Sequence, residues 1–147
     1  MEQFEPDLEE NLKAMAAART QLLHEVRGLS AEDMERMRRG GWSVREVLRH
    51  VIDSEVAYTK VIGFLRSTAT DLPNASDDDV SSGPAAASAL ERTRRTMLSL
   101  LEGVDEATFY ELRALGKEQY SVVSVIENVA SHDHEHLTQI SKTIAAH

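Results

Sequence analysis

Apolar residues recur along this chain at intervals of three, four and seven positions, the period of a helix that buries one face. Between Asp7 and Arg27 they are Leu8, Leu12, Met15, Leu22 and Val26, and Gly28 closes the segment. After a polar stretch from Ser30 to Gly41, Ser43 and Glu46 stand at the spacing of a capping box. The stripe that follows, Val44, Val47, Leu48, Val51, Tyr58, Ile62 and Leu65, predicts a second helix ending before Ser67. Ser67 to Gly83 holds Pro73, Asn74, three consecutive aspartates and Ser81-Ser82-Gly83, too polar to order itself alone, and reads as a long connection. Pro84 suits the first position of a third helix carrying Ala86, Leu90, Thr93, Met97 and Leu100 and closed by Gly103. Val104 to Tyr120, with Gly116, reads as a second long connection without an evident strand. Ser121 then caps a fourth helix with Val122, Val125, Ile126, Val129, Ile140 and Ile144 on one side.

Each stripe must be covered by the others, so the expected fold class is all-α, a four-helix bundle. A length of 147 residues supports one hydrophobic core, and a single domain over residues 1–147 is expected. Antiparallel neighbours need only about 2 to 8 connecting residues, so the longer connection between helices two and three predicts that these two run parallel.

Composition narrows the partners. A net charge of -9 repels phosphate backbones and anionic lipid, which argues against nucleic acid and membrane. No apolar run approaches the roughly 18 residues of a spanning helix, and a soluble, cytoplasmic protein is expected. The absence of cysteine excludes disulfides, thiolate metal sites and a cysteine nucleophile.

The remaining chemistry lies in histidines. Three of the six fall in His132-Asp133-His134-Glu135-His136. At about 100° per residue, His136 projects into the apolar stripe, His132 lies one turn earlier at its edge, and His134 points away. An i, i+4 pair presents two imidazoles to one metal from consecutive turns. A lone histidine on an apolar face is more often a hydrogen-bonded core residue. Two buried side by side, however, leave two ring nitrogens wanting partners at about 1 to 3 kcal/mol each. His50, beside the stripe of the second helix, is the candidate third ligand. Three histidines leave a coordination position open, as catalytic sites do.

Glu55 projects into the stripe of the second helix, and Arg19 into that of the first. An Arg19–Glu55 ion pair and a supporting or catalytic role for Glu55 are equally weighted readings. The cluster superficially satisfies two metalloprotease patterns, but only 11 residues follow His136 and no substrate-binding strand is evident.

Together, the segment Trp42-Ser43-Val44-Arg45-Glu46-Val47-Leu48-Arg49-His50-Val51-Ile52-Asp53-Ser54-Glu55 and the segment His132-Asp133-His134-Glu135-His136-Leu137-Thr138-Gln139-Ile140 strongly resemble the DinB/YfiT-like superfamily. The resemblance implies an up-down-down-up four-helix bundle. It also implies a divalent metal, with Zn or Ni suited to three imidazoles, on the positions matched by His50, His132 and His136. Relatives include thiol S-transferases using bacillithiol and isomerases using mycothiol. The implied function is therefore a metal-dependent transferase acting on a small molecule with a low-molecular-weight thiol cosubstrate, in a homodimer. The alternatives are a metal-dependent hydrolase and a non-catalytic metal-binding scaffold. YfiT-like members can carry histidine where this chain has Glu55, so no role for Glu55 follows from the resemblance.

Overall fold

The computed structural model describes residues 3–146; Met1, Glu2 and His147, which fall within the expected span of 1–147, lie outside the described residues. In chain order the elements are α1 (Phe4–Arg27), α2 (Ala31–Glu35), α3 (Val44–Leu65), α4 (Gly83–Leu101), α5 (Glu106–Tyr110), β1 (Arg113–Leu115), β2 (Glu118–Tyr120) and α6 (Val122–Ala145). The four long helices, α1, α3, α4 and α6, are the four expected from the stripes. Ser43 accepts from the Glu46 amide at 3.1 Å while its own amide donates to Glu46 Oε1 at 3.1 Å, so the capping box that starts α3 is present. Ser82 caps α4 through the Ala85 amide at 3.1 Å, and Ser121 caps α6 through the Ser124 amide at 3.1 Å. Helix α1 begins at Phe4, three residues before the expected start. The Phe4 ring has a distant partner there, meeting Phe109 edge-on at a centroid separation of 5.5 Å.

The segments between the long helices carry more structure than expected. The stretch before Trp42 contains α2, started by a capping box between Ser30 and Asp33. The segment after Gly103 contains α5 and a hairpin pairing Arg113 with Tyr120 and Leu115 with Glu118, against the expectation of no strand. Strands of three residues are too short to display a period of two, and only Gly116, at φ 65°, signals the tight turn. The acidic connection before α4 is held by side chains of the bundle. Asp53 accepts from the Ala75 amide at 2.6 Å, Arg49 pairs with Asp77, and Arg92 pairs with Asp79 at 2.8 Å.

Helix direction follows from which ends meet. Arg45, near the start of α3, donates to the Val80 carbonyl just before α4, while Arg66 beyond α3 donates to Leu100 and Glu102 at the end of α4. Helices α3 and α4 therefore run parallel, as the long connection implied. One apolar cluster joins Leu22 and Val26 to Val44, Val47, Leu48, Leu90 and Ile140; the other joins Met15 to Ile62, Met97, Val122 and Ile126. The end of α1 thus meets the starts of α3 and α4 and the latter half of α6, which is up-down-down-up. Among the described residues, no helix is long and apolar enough to cross a membrane.

The two clusters are separated by a charged layer. On every long helix the residue between them is ionised and buried: Arg19 is 4% exposed, Glu55 3%, Arg94 6% and Asp133 2%. Two guanidiniums and two carboxylates balance in charge, which is how such groups are tolerated away from water. The expected stripe of α4 ran through Thr93 and Leu100. The buried positions are Arg94 and Leu101, one residue on, because an arginine with two carboxylate partners takes an interior place its polarity would otherwise forbid.

Candidate metal centre

The first half of α3 and the middle of α6 bring three imidazoles together. His50 lies 5.2 Å from His132 and 5.0 Å from His136 between ring centroids, and His132 and His136 are 4.3 Å apart. One nitrogen from each ring falls within 4.8 Å of those of the other two, a group that could hold a metal ion. The three rings are half-buried, and His134 is exposed. Asp133 is the inward residue of the cluster, where the aliphatic pattern had left no polar place, and His132 and His136 flank it.

Orientation favours lone pairs that converge. The Nδ1 of His136 lies 2.8 Å from Gln139 Oε1; an amide oxygen only accepts, so Nδ1 carries the proton and Nε2 presents a lone pair. That Nε2 lies 3.1 Å from the Nε2 of His132. Two imidazole nitrogens on one tetrahedral ion, each about 2.0 to 2.1 Å from it, stand roughly 3.3 to 3.4 Å apart. The pair is thus close to the spacing of shared coordination, and a cation would satisfy both lone pairs at once. Burial, and then the neighbouring His136, lower the pKa of His50 and His132 below the usual imidazole value, which keeps the ligating form neutral. The donor chemistry therefore fits a divalent ion.

The surroundings are aromatic and polar. The Trp42 ring, 48% exposed, meets His50 edge-on at 5.2 Å, and Tyr58 stands 6.0 Å from His132. Trp42, Arg49, His50 and Asp53 line a surface hollow of about 320 Å³. Ser54 Oγ is 3.5 Å from His50 Nε2.

Glu55 does not join the histidines. Its Oε1 accepts from Arg19 Nη2 at 3.1 Å and Arg94 Nε at 2.8 Å, and its Oε2 from Arg19 Nη1 at 2.8 Å and the Thr93 hydroxyl at 2.6 Å. The Arg19–Glu55 pair is present within a wider set that includes Asp133. Burial works to raise the Glu55 carboxyl, but Arg19 and Arg94 prevail and hold it below the usual carboxylate range. Four donors occupy its lone pairs, leaving none for a substrate proton. A slot of about 10 Å³, the size of one water-sized sphere, separates this layer from the metal-ligand candidates; Arg19, Glu55 and Asp133 line it together with Tyr58 and His132.

Sequence reasoning missed Asp133, Arg94 and Gln139. The first two carried a readable signal: Asp133 lies four residues after Val129 and seven before Ile140, and Arg94 four after Leu90 and three before Met97. A charged residue in phase with a stripe on all four helices would have pointed to mutual pairing. Gln139 had only its i+3 spacing from His136.

No curated protein matches the chain. A sequence model of the DinB superfamily matches residues 14–140, which takes in α1 from its eleventh position, all three histidines and the whole charged layer. With this match over most of its length and four long helices running up-down-down-up, the chain belongs to the DinB superfamily.

Proposed function

We propose that this protein is a divalent-metal-dependent enzyme, a transferase that joins a low-molecular-weight thiol to a small electrophilic molecule. One observation carries the reading: three imidazoles from two helices converge within 4.8 Å, and among the described residues no fourth histidine or carboxylate joins the group. When bound, a divalent ion at such a site supplies Lewis-acid chemistry, lowering the pKa of a thiol or water taken at the remaining position.

The chain's own residues do the rest. His50, His132 and His136 would hold the ion, with Zn or Ni suited to the donor set. Gln139 fixes the ring of His136, and Trp42 and Tyr58 pack edge-on against His50 and His132. The thiol and the homodimer rest on the family resemblance.

Hydrolysis of an activated acyl group at the same site is the second reading, and a scaffold without turnover is the third. The test mixes zinc- or nickel-loaded protein with monochlorobimane, with and without glutathione, cysteine, bacillithiol or mycothiol, and separately with p-nitrophenyl acetate. Metal-dependent conjugation that requires a thiol supports the transferase. Ester cleavage without thiol replaces it with the hydrolase, and inactivity towards both leaves the scaffold.

A further inference from the structure

The buried charged layer has no place in that chemistry, yet it lies beside the histidines and joins the two helices that carry them. Each guanidinium holds both carboxylates. Arg19 donates Nε and Nη2 to Asp133, both at 3.0 Å, and Nη1 and Nη2 to Glu55 at 2.8 and 3.1 Å. Its remaining proton goes to the Leu90 carbonyl at 2.9 Å, so all five of its N–H groups are engaged. Arg94 donates Nε to Glu55 at 2.8 Å and Nη2 to Asp133 at 3.1 Å. Glu55 and Asp133 belong to α3 and α6, while the arginines come from α1 and α4, so the other two helices clamp the same pair.

The carboxylates sit close to the histidines along each helix. Glu55 follows His50 by five residues, roughly 7.5 Å of helix rise, and Asp133 lies within the His132–His136 turn. The apolar clusters on either side are built mostly of Val, Ile, Leu, Met and Ala, whose attraction is non-directional and tolerates small slides of one helix along another. Directional hydrogen bonds tolerate little: a slide of about 1.5 Å, the rise of one residue, carries a carboxylate out of hydrogen-bonding range of its guanidinium. A metal site needs its ligands placed to within about 0.5 Å.

We infer that Arg19, Glu55, Arg94 and Asp133 form a register lock that sets His50 on α3 against His132 and His136 on α6, and so determines metal affinity without touching the metal. These are positioning residues, and the inference rests on the three-histidine reading. Each carboxylate being bound by both guanidiniums gives the layer a single satisfied arrangement, whereas the apolar clusters above and below it would accept several.

The test compares zinc affinity, by competition with a chromophoric chelator, and the visible spectrum of the cobalt-loaded protein with the thermal midpoint of the metal-free protein. The variants are Arg19→Lys and the apolar set Arg19→Met, Glu55→Leu, Arg94→Met and Asp133→Leu combined. Arg19→Lys keeps the charge and loses the fork. Its zinc affinity is expected to fall at least tenfold, with weakened cobalt bands, at temperatures where its circular dichroism matches wild type. The apolar set is expected to keep or raise the thermal midpoint while losing zinc affinity to the same degree or more. Wild-type zinc affinity and cobalt spectra in a folded Arg19→Lys protein overturn the lock, whatever becomes of the combined variant. If the wild type itself fails to bind zinc, the three-histidine reading falls first; binding by wild type together with unaffected variants removes only the lock.

Discussion

Gln139 decides which nitrogen of His136 is free, and it does so through one hydrogen bond of 2.8 Å. Gln139→Leu removes the acceptor but keeps the bulk, so His136 can adopt either tautomer; metal affinity should fall by roughly 10- to 100-fold with little change in thermal midpoint. Isothermal titration with zinc alongside a melting curve separates the two effects. Among the histidines, alanine at His50, His132 or His136 should abolish metal retention after dialysis, while His134→Ala, which changes an exposed ring, should retain metal like wild type. Metal content by atomic emission reads the result, and loss in His134→Ala equal to that in His136→Ala would refute the assignment.

At the scale of elements, α3 and α4 are positioned by their first turns. The Ser43 hydroxyl starts α3 two turns before His50, and Ser43→Ala should cost about 1 kcal/mol in urea unfolding. Gly83 opens α4 where it crosses the end of α1. A Cβ there would stand 2.4 Å from the Val26 carbonyl oxygen and 2.7 Å from that of Leu29. Those are backbone atoms that cannot turn aside, so Gly83→Ala should destabilise by about 1 to 3 kcal/mol. An unchanged urea midpoint would show that the α1–α4 crossing is looser than this contact implies.

Across the whole molecule, the charged layer links stability to pH. The folded-state pKa of Glu55 lies below its ordinary 4.5, so the folded protein gives up this proton more readily than the unfolded chain. The resulting stabilisation is fully present above about pH 4.5 and is lost as pH falls from there through the lowered folded value. Protonation also leaves Arg19 and Arg94 short of a buried partner. Urea-unfolding free energies measured from pH 7 to pH 3 should therefore drop below about pH 4.5, and Glu55→Gln, less stable at neutral pH, should show a shallower drop. A variant that follows the wild-type slope would place the acid sensitivity in other carboxylates.

Four helices, the caps at Ser43 and Ser121, the parallel pairing of α3 and α4 and the three histidines that meet were legible along the chain. Each of these is written in local chemistry: a stripe at helical period, a hydroxyl three residues before an amide, a connection long enough to return the chain along the bundle, and two imidazoles one turn apart. Periodicity also reached Arg19 and Glu55. It puts Arg94 and Asp133 in phase with their stripes as well, but it does not name the partners, on other helices, that make burying their charge tolerable. The hairpin before α6 and the order of the acidic connection were likewise decided by tertiary contacts: three-residue strands have no legible period, and Asp77 and Asp79 are held by Arg49 and Arg92 from α3 and α4. The tautomer of His136 belongs to the same class, since it depends on where the Gln139 amide is aimed. Local pattern fixes which face of each helix turns inward, and only the assembled bundle fixes which charges meet there.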